Sequence, residues 1–182
     1  MSDFVDVLFS GAECVAYTKG KGPFRTGDPV RFMHRVIAGQ VDLIRYAPDG
    51  ARMILQRAVA GQVLAEASAY SHAYHCDGIA TAASRVEILP LSAFLARLDE
   101  DSVLARAWTA RLAHALQGAR TNAEIRTLRT VARRLDAWLD GGNTLPPKGH
   151  WQDLAQILGV TREALYRELA TRDELIAGVN NR

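Results

Sequence analysis

The chain has 182 residues, 48% hydrophobic and 23% charged, enough for one mid-sized domain or two small ones with real hydrophobic cores. That balance excludes wholesale disorder, and no apolar run approaches the ~20 residues that cross a bilayer. A formal net charge of +2 permits contact with nucleic acid without announcing it, and two cysteines, Cys14 and Cys76, are too few for a disulfide scaffold. The amino terminus is acidic and does not read as a secretory signal, so a cytoplasmic protein with reduced thiols is expected.

From Tyr17 to Leu91 short β-type runs alternate with turn residues. They are Val36-Ile37, Val41 to Tyr46, Arg52 to Arg57, Ile79 to Ala82 and Arg85 to Leu91, punctuated by Gly27-Asp28, Gly39, Pro48-Asp49-Gly50, Gly61 and Asp77-Gly78. Turns at such short intervals predict an antiparallel sandwich or barrel, and Ala47-Pro48-Asp49-Gly50 predicts a hairpin.

From Ser92 to Leu139 there is no proline and one glycine, Gly118, while alanine, leucine and arginine dominate, so this stretch is predicted helical. Apolar residues at Leu104, Trp108, Leu112, Ala115, Leu116 and Ala119 form one face. It either packs on its own β-domain or makes a two-helix seam between subunits. The acids Asp99, Glu100 and Asp101 suit the start of a long helix better than acid-base chemistry. Between Ala105 and Arg134 seven arginines, at 106, 111, 120, 126, 129, 133 and 134, face one acid, Glu124. Arg134 is a candidate for contact with a phosphate backbone.

After a linker at 141–149, a helix from about Trp151 to Leu158 is predicted to stop at Gly159, and Thr161 to cap a second helix whose positive end Glu163 favours. Small Ala155 allows close crossing, and Leu154, Leu158, Val160, Leu165 and Leu169 supply apolar contacts. This is a helix-turn-helix pattern. Counted from Arg162 at 100° per residue, Tyr166 falls at about 40°, Glu163 at about 100° and Arg167 at about 140°, with Leu165 and Leu169 near 300° and 340°. Arginine can donate a bidentate pair to guanine and glutamate can accept from cytosine in the major groove. Glu168, near 240°, falls in the apolar arc and needs a partner.

Gly27 to Val30, Gly39 to Arg45, Asp49 to Leu55 and Gly61 to Glu66, followed by the long helix and Thr161 to Arg167 in that order, resemble the cyclic-AMP receptor protein/FNR family of bacterial transcription regulators. The resemblance spans about residues 17–172. It implies an α+β chain with a cyclic-nucleotide-binding-like β-roll at 1–97, a dimerisation helix at 98–127 and a helix-turn-helix domain at 128–182. It also implies a hinge near Thr127 to Thr130, a homodimer on double-stranded DNA and RNA polymerase as a further partner. Arg162, Glu163 and Arg167 match the family's base-reading positions, with Thr161 and Tyr166 beside them. Two departures stand out: the lead before the roll is short, and only Asp173 to Arg182 follows the recognition helix where the family has a wing.

Nucleotide-binding relatives place a glutamate on the ribose and, ten and eleven residues later, an arginine and a serine or threonine on the phosphate. Counting from Glu66 gives Cys76 and Asp77, so both phosphate partners are absent. Losing such a partner costs ~2–5 kcal/mol, so tight binding of cyclic AMP or cyclic GMP is not expected. The segment Ser71-His72-Ala73-Tyr74-His75-Cys76-Asp77 instead offers His72, His75 and Cys76 as candidate ligands of a metal ion, which would make a metal-, redox- or haem-responsive sensor. The bland reading is a polar loop with Cys76 as a small buried filler. Tyr70 and Tyr74 are expected in the core or pocket. No GxSxG, P-loop, HExxH or dinucleotide motif occurs, so an enzyme is not expected. The remaining alternative is a ligand- or protein-binding module that has lost DNA binding.

Overall fold

The structure, a computed structural model, describes residues 3–50 and 52–179. It is α+β and divides into two compact units, 1–112 and 113–182, each described by itself. In the first, the helix α1 (Phe4–Leu8), capped by the Asp3 carboxylate, precedes seven antiparallel strands: β1 (Glu13–Tyr17), β2 (Phe32–Ala38), β3 (Gln40–Tyr46), β4 (Arg52–Val59), β5 (Val63–Leu64), β6 (Asp77–Ala80) and β7 (Ser84–Pro90). They form two sheets, ordered β1-β7-β2-β5 and β4-β3-β6. The β3–β4 hairpin closes where expected, with Gly50 N–H donating to the Ala47 carbonyl at 2.9 Å.

Strand β2 shows how the sheets are covered. Met33, His34, Arg35 and Val36 are all buried, although a strand buried on one face should alternate. The period survives in what they touch. Val36 joins the roll interior with Val41, Leu43, Leu64 and Val86, while Met33 joins Phe9, Phe94 and Trp108 beneath the helices. Arg35 lies on the helical side, where Glu87 accepts at 2.8 Å, Asp6 pairs with it and Phe9 lies beneath its guanidinium. Each fully buried large side chain contributes ~1.5–3 kcal/mol.

The predicted helical stretch is divided. Helix α2 (Leu91–Glu100) ends at Asp101, whose carboxylate caps α3 (Ser102–Thr127) by accepting from Val103 N–H at 2.8 Å. Of the acidic trio, Asp101 alone caps the long helix; Asp99 and Glu100 close the one before it. After Thr127 the chain breaks again, and the Thr130 hydroxyl caps α4 (Val131–Asp140). The second unit is completed by α5 (Trp151–Leu158) and α6 (Arg162–Val179), around Ile125, Leu135, Leu154, Ala155, Leu158, Leu165 and Leu169. Among the described residues the chain past Arg172 continues α6 and forms no strand.

Candidate functional site

Helices α5 and α6 are joined by Gly159, Val160 and Thr161. Gly159 has a φ of +64°, the left-handed conformation that ends a helix, and Val160 N–H donates back to the Ala155 carbonyl at 3.0 Å. The Thr161 hydroxyl accepts from Ala164 N–H at 3.2 Å. Leu165 and Leu169 are buried, while Thr161, Arg162, Glu163 and Arg167 are exposed. Tyr166 is half-buried: its ring packs edge-on against Trp151, its hydroxyl donates to the Lys148 carbonyl, and the Arg162 guanidinium lies 5.0 Å from its centroid. Glu168 accepts from Arg172 at 2.8 Å, which resolves its position in the apolar arc.

Two arginines of the basic block serve the end of α5. Arg126 donates to the carbonyls of Gln156 and Ile157 at 2.9 and 3.0 Å, and Arg134 to those of Leu158 and Gly159 at 3.0 and 2.8 Å. Helix carbonyls at that end lack intrahelical partners and carry the negative end of the dipole, so two cations there are favourable. Arg134 also donates to the Leu128 carbonyl, so its guanidinium is committed within the protein rather than held out for phosphate.

The residues assigned to the effector region are also engaged. Glu66 begins a short 3-10 turn (Glu66–Tyr70) and pairs with Arg111 of α3 at 3.0 Å. Cys76 is buried in the roll interior, and burial pushes its thiol pKa up, which disfavours the thiolate a metal or oxidant would need. Asp77 accepts from Thr26 N–H at 2.7 Å and the Thr26 hydroxyl at 2.9 Å, with Arg25 at 3.5 Å. The Thr26 amide chiefly holds its carboxyl below the usual range.

The expected grouping of His72, His75 and Cys76 is corrected: among the described residues no three His, Cys, Asp or Glu side chains stand together to hold a metal ion. His72 and His75 are exposed while Cys76 points into the core. Tyr74 is buried as expected, whereas Tyr70, expected in the core or pocket, is 64% exposed. Sequence reading missed Arg111, Thr26 and Arg25 as partners, because each lies far along the chain from the group it meets.

Residues 14–101 match the cyclic nucleotide-binding domain family. Solved structures that share the fold include FixK2 from Bradyrhizobium japonicum, 21% identical over 90% of this chain and 85% of that one, with a TM-score of 0.68. The catabolite activator protein of Thermus thermophilus is 24% identical over 96% and 84%, with a TM-score of 0.58. The sensor domain of the transcriptional regulator DNR from Pseudomonas aeruginosa is 25% identical over 70% and 83%, with a TM-score of 0.55. No curated protein matches the sequence. Residues 14–101 are thus similar to the cyclic nucleotide-binding domain, and the structural neighbours are regulators of the cyclic-AMP receptor protein/FNR family. Among the described residues no helix is long and apolar enough to cross a membrane.

Proposed function

We propose that the chain is a sequence-specific, DNA-binding transcription regulator that works as a homodimer and does not answer to cyclic AMP. The observation that carries this reading is the α5–α6 pair, a helix-turn-helix whose second helix buries Leu165 and Leu169 and exposes Arg162, Glu163 and Arg167. Arg162 and Arg167 reach guanine and Glu163 reaches cytosine in a short half-site, each contact contributing ~1–3 kcal/mol of discrimination. Tyr166 supports Arg162 from below, and Thr161 sets the start of the helix.

Helix α3 supports the dimer. Its apolar face is used twice: Leu104 and Trp108 are buried in the first unit, whereas Ala115, Leu116 and Ala119 are exposed, Leu116 by 53%. A second copy of α3 covers such a stripe as a two-helix seam and presents two recognition helices to a twofold-related site. Arg129 and Arg133, exposed near the start of α4, supply phosphate contacts, so binding weakens steeply with salt. RNA polymerase is a further partner only by likeness to such regulators.

Cyclic nucleotide does not fit the effector region. Its phosphate needs a cation, yet Cys76 is a buried neutral thiol, Asp77 is a carboxylate already satisfied by Thr26 and Arg25, and Glu66 is neutralised by Arg111. A regulator of this kind carries no catalytic chemistry. The test is selection from random duplex DNA, expected to enrich pseudo-palindromic half-sites. Binding without sequence preference would instead mark a module that no longer reads DNA. In calorimetry cyclic AMP should give no saturable heat, and micromolar affinity would overturn that part of the reading.

A further inference from the structure

Helix α5 ends against two arginines that reach it from different helices. Four consecutive carbonyls are taken there: those of Gln156 and Ile157 accept from Arg126 near the end of α3, and those of Leu158 and Gly159 from Arg134 of α4. Groups at this end of a helix lack intrahelical partners. The Arg126 stem also lies across Gly159, where a Cβ would meet its Cγ at 3.1 Å. Arg126 thus grips the residue at which the chain turns toward α6.

The neighbouring Ile125 is buried with Leu154 and Leu158 of α5 and Leu165 and Leu169 of α6, so the end of α3 keeps an apolar anchor whatever stands at position 126. Apolar burial is non-directional and leaves α3 free to pivot about that anchor, whereas N–H···O bonds demand near-linear geometry. Two such bonds from one planar guanidinium to successive carbonyls fix the direction of α5, and with it α6, against the end of α3. Exposed Ala115, Leu116 and Ala119, the grip of Arg126 and the outward face of α6 all lie in one compact unit, residues 113–182. An angle fixed at Arg126 is therefore carried from the seam of α3 to the arginines of α6.

We propose that Arg126 is a positioning residue that sets the separation of the two half-sites accepted, a role that rests on the chain reading DNA as a homodimer. In a twofold dimer half-site spacing follows the spacing of the recognition helices, and one inserted base pair turns a half-site by about 34° and moves it by about 3.4 Å. The experiment uses the full chain on a duplex enriched by selection and on two derivatives with one base pair added to or removed from its centre. Wild type should bind the derivatives at least roughly tenfold more weakly, and Arg126→Ala should bind all three within about threefold, with base preference inside each half-site unchanged. Arg126→Lys keeps the charge and the stem without the two-pronged geometry and should fall between, which tests the claim even if the alanine variant fails to fold. Wild-type spacing preference in these variants, or loss of base preference together with it, overturns the proposal. Without DNA, residual dipolar couplings of amides 115–127 and 162–170 should fit one alignment frame in wild type and require two in either variant. One frame throughout overturns the role of Arg126, whereas wild-type protein that enriches no duplex overturns the reading of DNA instead.

Discussion

In the first unit the buried charges meet opposite charges: Arg35 pairs with Asp6 and Glu87, Asp42 with Arg52 and Arg57, and Glu66 with Arg111. In the second unit Arg126 and Arg134 instead spend their guanidinium groups on backbone carbonyls at the end of α5, and Arg162 and Arg167 stay exposed. Pairing a guanidinium with a carboxylate cancels its charge, whereas donating it to carbonyls leaves a net positive charge in place. The contrast is one of particular arginines: Arg162 and Arg167 are left available to an anionic partner, whereas Arg172 of the same unit pairs with Glu168 and Asp136, and in the first unit Arg97 also donates to the carbonyls of Leu8 and Ser10. A basic segment in sequence is therefore not a homogeneous surface: two of its arginines hold the helix pair together, and others face outward.

The sharpest way to break this contrast is Arg134→Ala. It removes three hydrogen bonds from a charged donor to the carbonyls of Leu128, Leu158 and Gly159. A loss of about 3 kcal/mol in the stability of the second unit is expected, since such bonds contribute roughly 1.5–3 kcal/mol each and the guanidinium is only partly buried. Denaturant unfolding followed by near-ultraviolet circular dichroism measures it, and unchanged stability would return Arg134 to the role of a phosphate contact.

Acid should break the first unit at its one deeply buried imidazole. His34 has a folded pKa of about 4, below the ordinary 6.5, so the unfolded chain takes up the proton first. Its contribution is full above pH 6.5 and is lost as pH falls toward 4, by about 3 kcal/mol over that window. Stability measured against pH should show this slope, and His34→Gln should flatten it. The low-lying Asp77 carboxyl acts in a separate window below its ordinary range, where protonation releases Thr26 and Arg25.

Exposed arginines should affect binding and not folding. Arg162→Ala should leave thermal unfolding unchanged and relax preference at one guanine of each half-site, at a cost of ~1–3 kcal/mol. Arg133→Ala should weaken all sequences alike and reduce the slope of log affinity against log salt by about 0.9 per lost phosphate contact. The smallest effect belongs to Gly159→Ala, about 1 kcal/mol for forcing a side chain into positive φ. The new Cβ would sit 3.1 Å from Arg126 Cγ, so part of that cost comes from the clamp itself.

Much of the fold was legible where the cause is local. The β3–β4 hairpin follows from Pro48-Asp49-Gly50, and the turn between α5 and α6 from Gly159 and Thr161. The break at Asp101 was harder, because such a residue is tolerable inside a helix and becomes a cap only when neighbouring segments turn away, while the break near Thr130 was expected only through the hinge that the family resemblance implies at Thr127 to Thr130. Of the candidate site, the buried Leu165 and Leu169 against the exposed Arg162 and Arg167 were readable from a 100° count. The partners of Glu66 and Asp77 were not: Arg111 lies 45 residues from Glu66 and Thr26 lies 51 from Asp77, and no spacing rule links such pairs. The grouping of His72, His75 and Cys76 failed for a local reason, since His72 and His75 face solvent while Cys76 turns inward.

The central claim is that α6 reads DNA with its arginine-bearing face. Adding an enriched duplex to ¹⁵N-labelled protein tests it most directly. The account predicts that the side-chain Nε signals of Arg162 and Arg167, and amides at the start of α6, shift first and most. Shifts confined to the β-roll, with α6 unmoved, would contradict it.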